Sequence, residues 1–187
     1  MRMTFSKLPM IVALMLYAAP TFAQEGPSYA ETLTFLRSKV DLNYGKTKTI
    51  RLVQNKKCNL TQATRLLAGF DGVPEEQSIN VTFELSAIDP SRIEYRKSTN
   101  PGFPNDGYVL ARTKELQKVI RTDANSYFSE KPTNKKWKCG ARNMCRITYV
   151  GEDIGFQILQ PNHDNGPRVV RALQHLVKLC GGKEELF

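Results

Sequence analysis

Histidine is nearly missing from this chain: His163 and His175 are the only two in 187 residues. No G-x-S-x-G, no H-E-x-x-H, no phosphate-cradling glycine-rich loop and no C-x-x-C occurs. The common signatures of serine hydrolases, zinc peptidases, P-loop enzymes and dithiol oxidoreductases are therefore excluded. His175 and Cys180 stand five positions apart on one apparent helix and so point in different directions, which makes a poor nucleophile–base pair. The carboxylate pairs Glu75-Glu76, Glu152-Asp153 and Glu184-Glu185 fall in turns or in the tail, where solvation is their ordinary role. Metal ligation has little support, because five residues separate Cys139 from Cys145 and no histidine lies near them. No cofactor is expected. Internal repeats, heptads and low-complexity tracts are also absent, and tryptophan occurs once, as Trp137.

What is present begins with an address. Arg2 and Lys7 precede an apolar run of 12 residues from Leu8 to Ala19, and Pro20-Thr21-Phe22-Ala23 supplies small residues for cleavage. This predicts a secretory signal peptide over residues 1–23, too short and wrongly flanked for a membrane anchor. The remaining 164 residues suit one β-rich domain, 24–187, with a hydrophobic core and no membrane span, exported to the periplasm or secreted. They carry 25 basic and 18 acidic residues, a net charge of +7, which favours anionic surfaces and also serves solubility.

Four cysteines, Cys58, Cys139, Cys145 and Cys180, enter that oxidising compartment, and three pairings are possible. Cys139–Cys145 would close a small loop and leave Cys58–Cys180 to span over a hundred residues. Chain entropy assigns such a bridge about 4–5 kcal/mol before strain. The alternative for Cys180 is a buried small hydrophobic residue.

The periodicity predicts helix, strands, helix. Ser28 and Glu31 form an S-x-x-E box, and Tyr29, Leu33, Leu36 and Val40 follow at helical spacing. From Lys46 the period falls to two: strands are expected from Lys48 to Gln54, from Cys58 to Leu67 and from Ile79 to Leu85. The last should pair as a hairpin with Arg92 to Lys97 across Asp89-Pro90-Ser91. Gly69 to Ser78 and Asn100 to Gly107 read as loops. Tyr108 to Thr113 and Gln117 to Thr122 read as a further hairpin, with a helical turn from Lys114 to Ile120 as the alternative. Asp123 to Lys138 reads as a mobile polar excursion, and Cys145 to Val150 and Ile154 to Leu159 as the last strands. From Pro167 to Gly181, Val169, Val170, Leu173, Leu176, Val177 and Cys180 make one apolar helical stripe. The expected fold is α+β: a strongly curved antiparallel sheet or partly open barrel of seven or eight strands, with an N-terminal helix and a capping C-terminal amphipathic helix.

The segments Glu31 to Lys39, Phe83-Glu-Leu-Ser-Ala-Ile-Asp-Pro90 and Arg171-Ala-Leu-Gln-His-Leu-Val-Lys-Leu-Cys-Gly181 resemble a group of uncharacterised bacterial exported proteins. That group is similar in layout to pleckstrin-homology-like barrels, in which a C-terminal helix plugs a curved sheet. The resemblance implies a fold and no particular activity.

One constellation suggests binding. Lys131, Lys135, Lys136, Lys138, Arg142 and Arg146 surround Trp137 within sixteen residues. Cations around an aromatic ring suit a lipid headgroup layer, a glycan or single-stranded nucleic acid, and export argues against the last. A solvated hairpin whose tryptophan covers the core edge would read the same. Arg168 and Arg171 oppose the dipole at the start of the last helix, as an anion bound there, or Asp164, would require. The leading expectation is a non-enzymatic binding or interaction module of the cell envelope, contacting an anionic lipid or glycan or another envelope protein. The alternatives are a small hydrolase or enzyme inhibitor with its site at the barrel end, and a carrier of a small apolar ligand.

Overall fold

Ser28 opens helix α1 (Tyr29–Val40) with a complete capping box: its side chain accepts from the Glu31 N–H, and Glu31 accepts from the Ser28 N–H at 2.8 Å. That backbone bond, with the Ser28 hydroxyl, holds the Glu31 carboxyl below its usual range. The structure, a computed structural model, describes residues 26–45, 47–70, 73–97, 107–128, 134–141, 144–158 and 165–181, with only the backbone of 68–70 and 73–76. The expected signal peptide, the loop at 100–106, Lys131, Arg142, His163 and Asp164 lie outside these residues.

Ten strands are described: β1 (Leu42–Asn43), β2 (Lys48–Lys56), β3 (Asn59–Phe70), β4 (Val73–Glu84), β5 (Ile88–Lys97), β6 (Gly107–Thr113), β7 (Ile120–Tyr127), β8 (Lys138–Cys139), β9 (Met144–Gly151) and β10 (Asp153–Ile158). All pair antiparallel in two sheets, one ordered β1-β2-β3-β4-β7-β9-β8 and the other β10-β6-β5. Eight strands have six or more residues, and neither sheet closes into a barrel. The expected class therefore holds, a curved and partly open sheet framed by two helices.

The expected strand partners do not hold. Arg92 to Lys97 belongs to β5, which pairs with β6 and not with the strand ending at Glu84. Asp89-Pro90-Ser91 is a bulge rather than a reversal: the register shifts between Ile88 and Ile93, and the fully buried Asp89 accepts from the Ser91 N–H and hydroxyl through Oδ1. Proline has no N–H for the ladder, so a bulge is where a strand tolerates it. Likewise β6 and β7 are not a hairpin. A 3-10 turn at Lys114–Leu116, with Glu115 and Leu116 at positive φ, carries the chain from the small sheet to the large one. The chain also crosses at Leu85–Ala87, from β4 to β5, and at Glu152, from β9 to β10. Strands that switch sheets at corners are how two sheets share one core. Of Gly69 to Ser78, expected as a loop, Gly69 and Phe70 and the run from Val73 to Ser78 are strand: β3 and β4 stay in register from Asn59↔Glu84 to Phe70↔Val73.

The core lies between the two sheets and the helices. Phe83 on β4 meets Phe156 on β10 edge-on, with centroids 5.8 Å apart, and so bridges the sheets. Around them Leu36, Leu60, Leu85, Ile88, Val109 and Ile158 are fully buried. Helix α2 (Asn165–Leu179) places Val169, Leu173, Leu176 and Val177 in this core, against β5 and α1 above all. At the exposed edge of β2, where β1 is too short to pair, α1 serves instead. Arg37 Nε donates to the Leu52 carbonyl at 2.9 Å, and Asp41 accepts from the Leu52 N–H at 2.7 Å. A bare edge is thereby covered.

Both disulfides join the expected partners, Cys58–Cys180 and Cys139–Cys145, and no described cysteine is free. Two bridges in one chain indicate an oxidising environment. No described helix is long and apolar enough to cross a membrane.

Gly166 explains itself by contact. A Cβ there would lie 2.4 Å from Tyr95 Cδ2, because the Tyr95 ring is clamped between Gly166 and Gly107. Gly166→Ala should therefore lower stability by on the order of 1 kcal/mol, overpacking outweighing the better helix propensity of alanine. In a Tyr95→Ala background the same change should stabilise instead. Calorimetry of the three variants checks this, and a raised melting temperature for Gly166→Ala alone would show that the ring has room to move.

Candidate functional site

The predicted basic–aromatic constellation falls at the free end of the large sheet, on β7, β8 and β9, and period-two alternation divides it. Asp123 to Tyr127, expected within a mobile excursion, belongs to β7: all five residues pair with β9, and Asp123 to Asn125 pair with β4 as well. The excursion is thereby reduced to residues 128–137, of which Asn134 to Trp137 form a turn tied by Trp137 N–H to Asn134 O at 3.1 Å.

Cross-strand registers sort the side chains into faces, since residues directly opposite each other point the same way. One face of the large sheet carries the core. There Gln62, Val81, Thr122 and Tyr149 form one row, and Thr64, Ile79, Ala124 and Ile147 the next. The opposite, outer face carries another row, Arg65, Ser78, Asn125, Arg146 and Lys138, across five strands.

The outer row is polar and linked. Arg146 Nε donates to Asn125 Oδ1 at 3.0 Å, and Asn125 Nδ2 donates to Ser78 Oγ at 3.2 Å. A shallow cleft of about 600 Å³ runs along it, lined by Ser78, Asn125, Lys138, Met144 and Arg146. Lys138 and Arg146 are exposed, and neither forms an ion pair with a carboxylate among the described residues. Asp123, two positions from Asn125 on the same face, is held by Arg121 at 2.8 Å and by the Thr148 hydroxyl at 2.6 Å. Those two bonds, Arg121 first, lower its pKa, and the Arg146 charge adds a smaller contribution. Asp123 is thus an anion already committed.

Trp137 faces the other way. It is half-buried, meets Phe128 edge-on with centroids 4.9 Å apart, and leans over the core-bearing face of β4, β7 and β9. Beneath it is a cavity of about 280 Å³ whose floor is Ile79, Ala124 and Ile147 and whose walls include Trp137 and Tyr149. Lys135 and Lys136 are exposed on the turn that delivers Trp137.

The structure therefore brings Lys138 and Arg146 together, sets Trp137 apart from them on the reverse face, and keeps Lys135 and Lys136 beside it in the chain. The Cys139–Cys145 bridge, Cα atoms 3.9 Å apart, fastens β8 to β9 and so holds both groups in place. Sequence reasoning missed Ser78, Asn125, Thr122, Tyr149 and Phe128. The alternation Ile120, Thr122, Ala124, Ser126 was the available signal for β7, but threonine, alanine and serine gave it little apolar contrast.

The start of α2 has a local account. The Arg168 guanidinium lies over the Phe35 ring of α1 at 5.2 Å from its centroid, a cation–π contact that draws it toward α1. Arg171 is exposed, seven residues into the helix and beyond its first turn. His175 has no acidic partner among the described residues; its Nε2 lies 2.6 Å from the Pro27 carbonyl and ties the N-terminal lead-in to α2. Cys180, its one conceivable nucleophilic neighbour, is in a disulfide. No group of three or more potential metal ligands occurs among the described residues. Compared with family models, curated proteins and solved structures, the chain matches none of them.

Proposed function

We propose that the protein is an exported, non-enzymatic binding module of the cell envelope that contacts an anionic component through the outer face of β8 and β9. The observation that carries this reading is the in-register row Ser78, Asn125, Arg146 and Lys138, in which neither cation has a carboxylate partner among the described residues. An arginine held at Nε by an amide keeps its terminal N–H groups for an anionic oxygen. The lysine beside it adds a point charge, and Lys135 and Lys136 extend the field along the same segment. Residues 1–23 serve as the signal peptide, and the two disulfides support a periplasmic or secreted location. The pleckstrin-homology-like layout remains our reading of the two sheets under one C-terminal helix.

Contact of this kind is salt-sensitive, since the Debye length falls from ~10 Å at 0.1 M to ~3 Å at 1 M. The chain from residue 24 onward should bind anionic vesicles or a carboxylated or sulfated glycan at 0.1 M salt and release them at 1 M. Comparing the two arms identifies which envelope component supplies the anion. Replacing Lys135, Lys136 and Lys138 with Ser should remove most of the binding and leave the melting temperature nearly unchanged, because exposed lysines contribute little to folding. Absence of binding to both materials at 0.1 M salt would end this reading.

A further inference from the structure

The cavity under Trp137 has a chemistry of its own. No Asp, Glu, Lys or Arg is among its described lining residues, while Ile79, Ala124, Ile147, Trp137 and Tyr149 make most of its wall apolar. Four polar residues interrupt that wall, and two of them, Asn125 and Ser126, already hold partners. Thr122 is only 5% exposed, lines the cavity, and its hydroxyl has no hydrogen-bond partner in the structure. Gln77, half-buried on the same wall, likewise has a carboxamide without a partner. Both side chains can therefore donate to or accept from a molecule seated in the cavity. The cavity opens at the surface beside Tyr149, which is 51% exposed, and at about 280 Å³ it is close to the smallest size of small-ligand pockets.

We infer that the cavity between Trp137 and the β4–β7–β9 face is a binding site for a small uncharged ligand. Its occupant has an apolar body and one hydroxyl or carbonyl, which Thr122 and Gln77 recognise. Uncharged, because a buried ion would find no counter-charge on this wall. Mostly apolar, because an aliphatic body covers Ile79, Ala124 and Ile147 and lies against the indole. The hydrogen bond supplies orientation. Trp137 arrives on a turn and not on the sheet, and the Cys139–Cys145 bridge anchors the strand that follows it. This site and the outer-face contact lie on opposite faces and meet at Asn125, which lines both, but each proposal stands without the other.

The test uses 1-octanol as probe and the fluorescence of the sole tryptophan as readout, on the chain from residue 24 onward. The expected result is a saturable change in Trp137 emission that is the same at 0.1 M and 1 M salt. Ala124→Leu, which fills the floor, should weaken binding at least tenfold. Thr122→Val is nearly isosteric and should weaken it about 3- to 10-fold, the range one lost hydrogen bond allows. If Ala124→Leu does not fold, Thr122→Val decides the matter alone. No saturable change with 1-octanol, or a folded variant of either kind that binds as tightly as the parent, overturns the inference. So does binding that vanishes at high salt, which would place the probe on the cationic surface instead.

Discussion

Leu173→Ala and Leu176→Ala should each lower the free energy of unfolding by about 2–5 kcal/mol, and chemical denaturation should show it as an earlier midpoint with an unchanged slope. Both side chains have zero exposure and sit where α2 meets β5 and α1. The cost is large because the helix cannot settle into the vacated space. Tyr95, wedged between Gly107 and Gly166, fixes its first turn, and the Cys58–Cys180 bridge fixes its end. Val170, half-buried on the same helix, is the natural control and should cost less on truncation. Equal, small effects at all three positions would mean that α2 does not close the core.

Removing the long bridge should have an effect of similar size. Cys58 and Cys180 are 122 positions apart, and for a loop of that length the chain-entropy estimate is about 5 kcal/mol. The position argues for the same conclusion. Cys58 occupies the turn between β2 and β3 with φ of 67°, a left-handed conformation that costs a residue with a Cβ roughly 1–2 kcal/mol relative to glycine. Cysteine stands there despite that cost because the bridge returns more. Cys58→Ala with Cys180→Ala should therefore unfold at far lower denaturant concentration than the parent. Cys139→Ala with Cys145→Ala removes a bridge that closes a much shorter loop and should lose less. If the short bridge proved the more stabilising of the two, the entropic account would be wrong for this fold.

The helices and bridges were legible because their signals are local or few. A capping box, a three-and-four apolar stripe and four cysteines leave little choice. Strand existence was nearly as plain, but strand partnership was not. Alternation says which side chains point inward, and it is silent on which strand lies alongside. The three crossings between sheets run through Leu85–Ala87, Lys114–Leu116 and Glu152; only the last has a glycine beside it, Gly151, and that alone does not tell a crossing from a hairpin turn. Glu115 and Leu116 even take positive φ, against ordinary preference. The β3–β4 hairpin was masked by its own punctuation: Gly69 and Pro74 are paired strand residues, and only Asp71-Gly72 separates the paired Phe70 and Val73.

The candidate site was half legible for a related reason. Its composition was visible as six cations around one tryptophan, but its geometry depends on β8, a strand of two residues too short to alternate. Once Lys138 is placed opposite Arg146, period two sends Trp137 and Lys138 to opposite faces. A single patch becomes two surfaces with different chemistry.

That division is the centre of the account, and one comparison tests it most directly. Lys138→Glu with Arg146→Glu reverses the outer row and substitutes no residue that lines the cavity. Co-sedimentation with anionic vesicles at 0.1 M salt should fall to near background for this variant, while the saturable response of Trp137 to 1-octanol persists. Undiminished vesicle binding by a folded variant, or loss of both responses together, would contradict it.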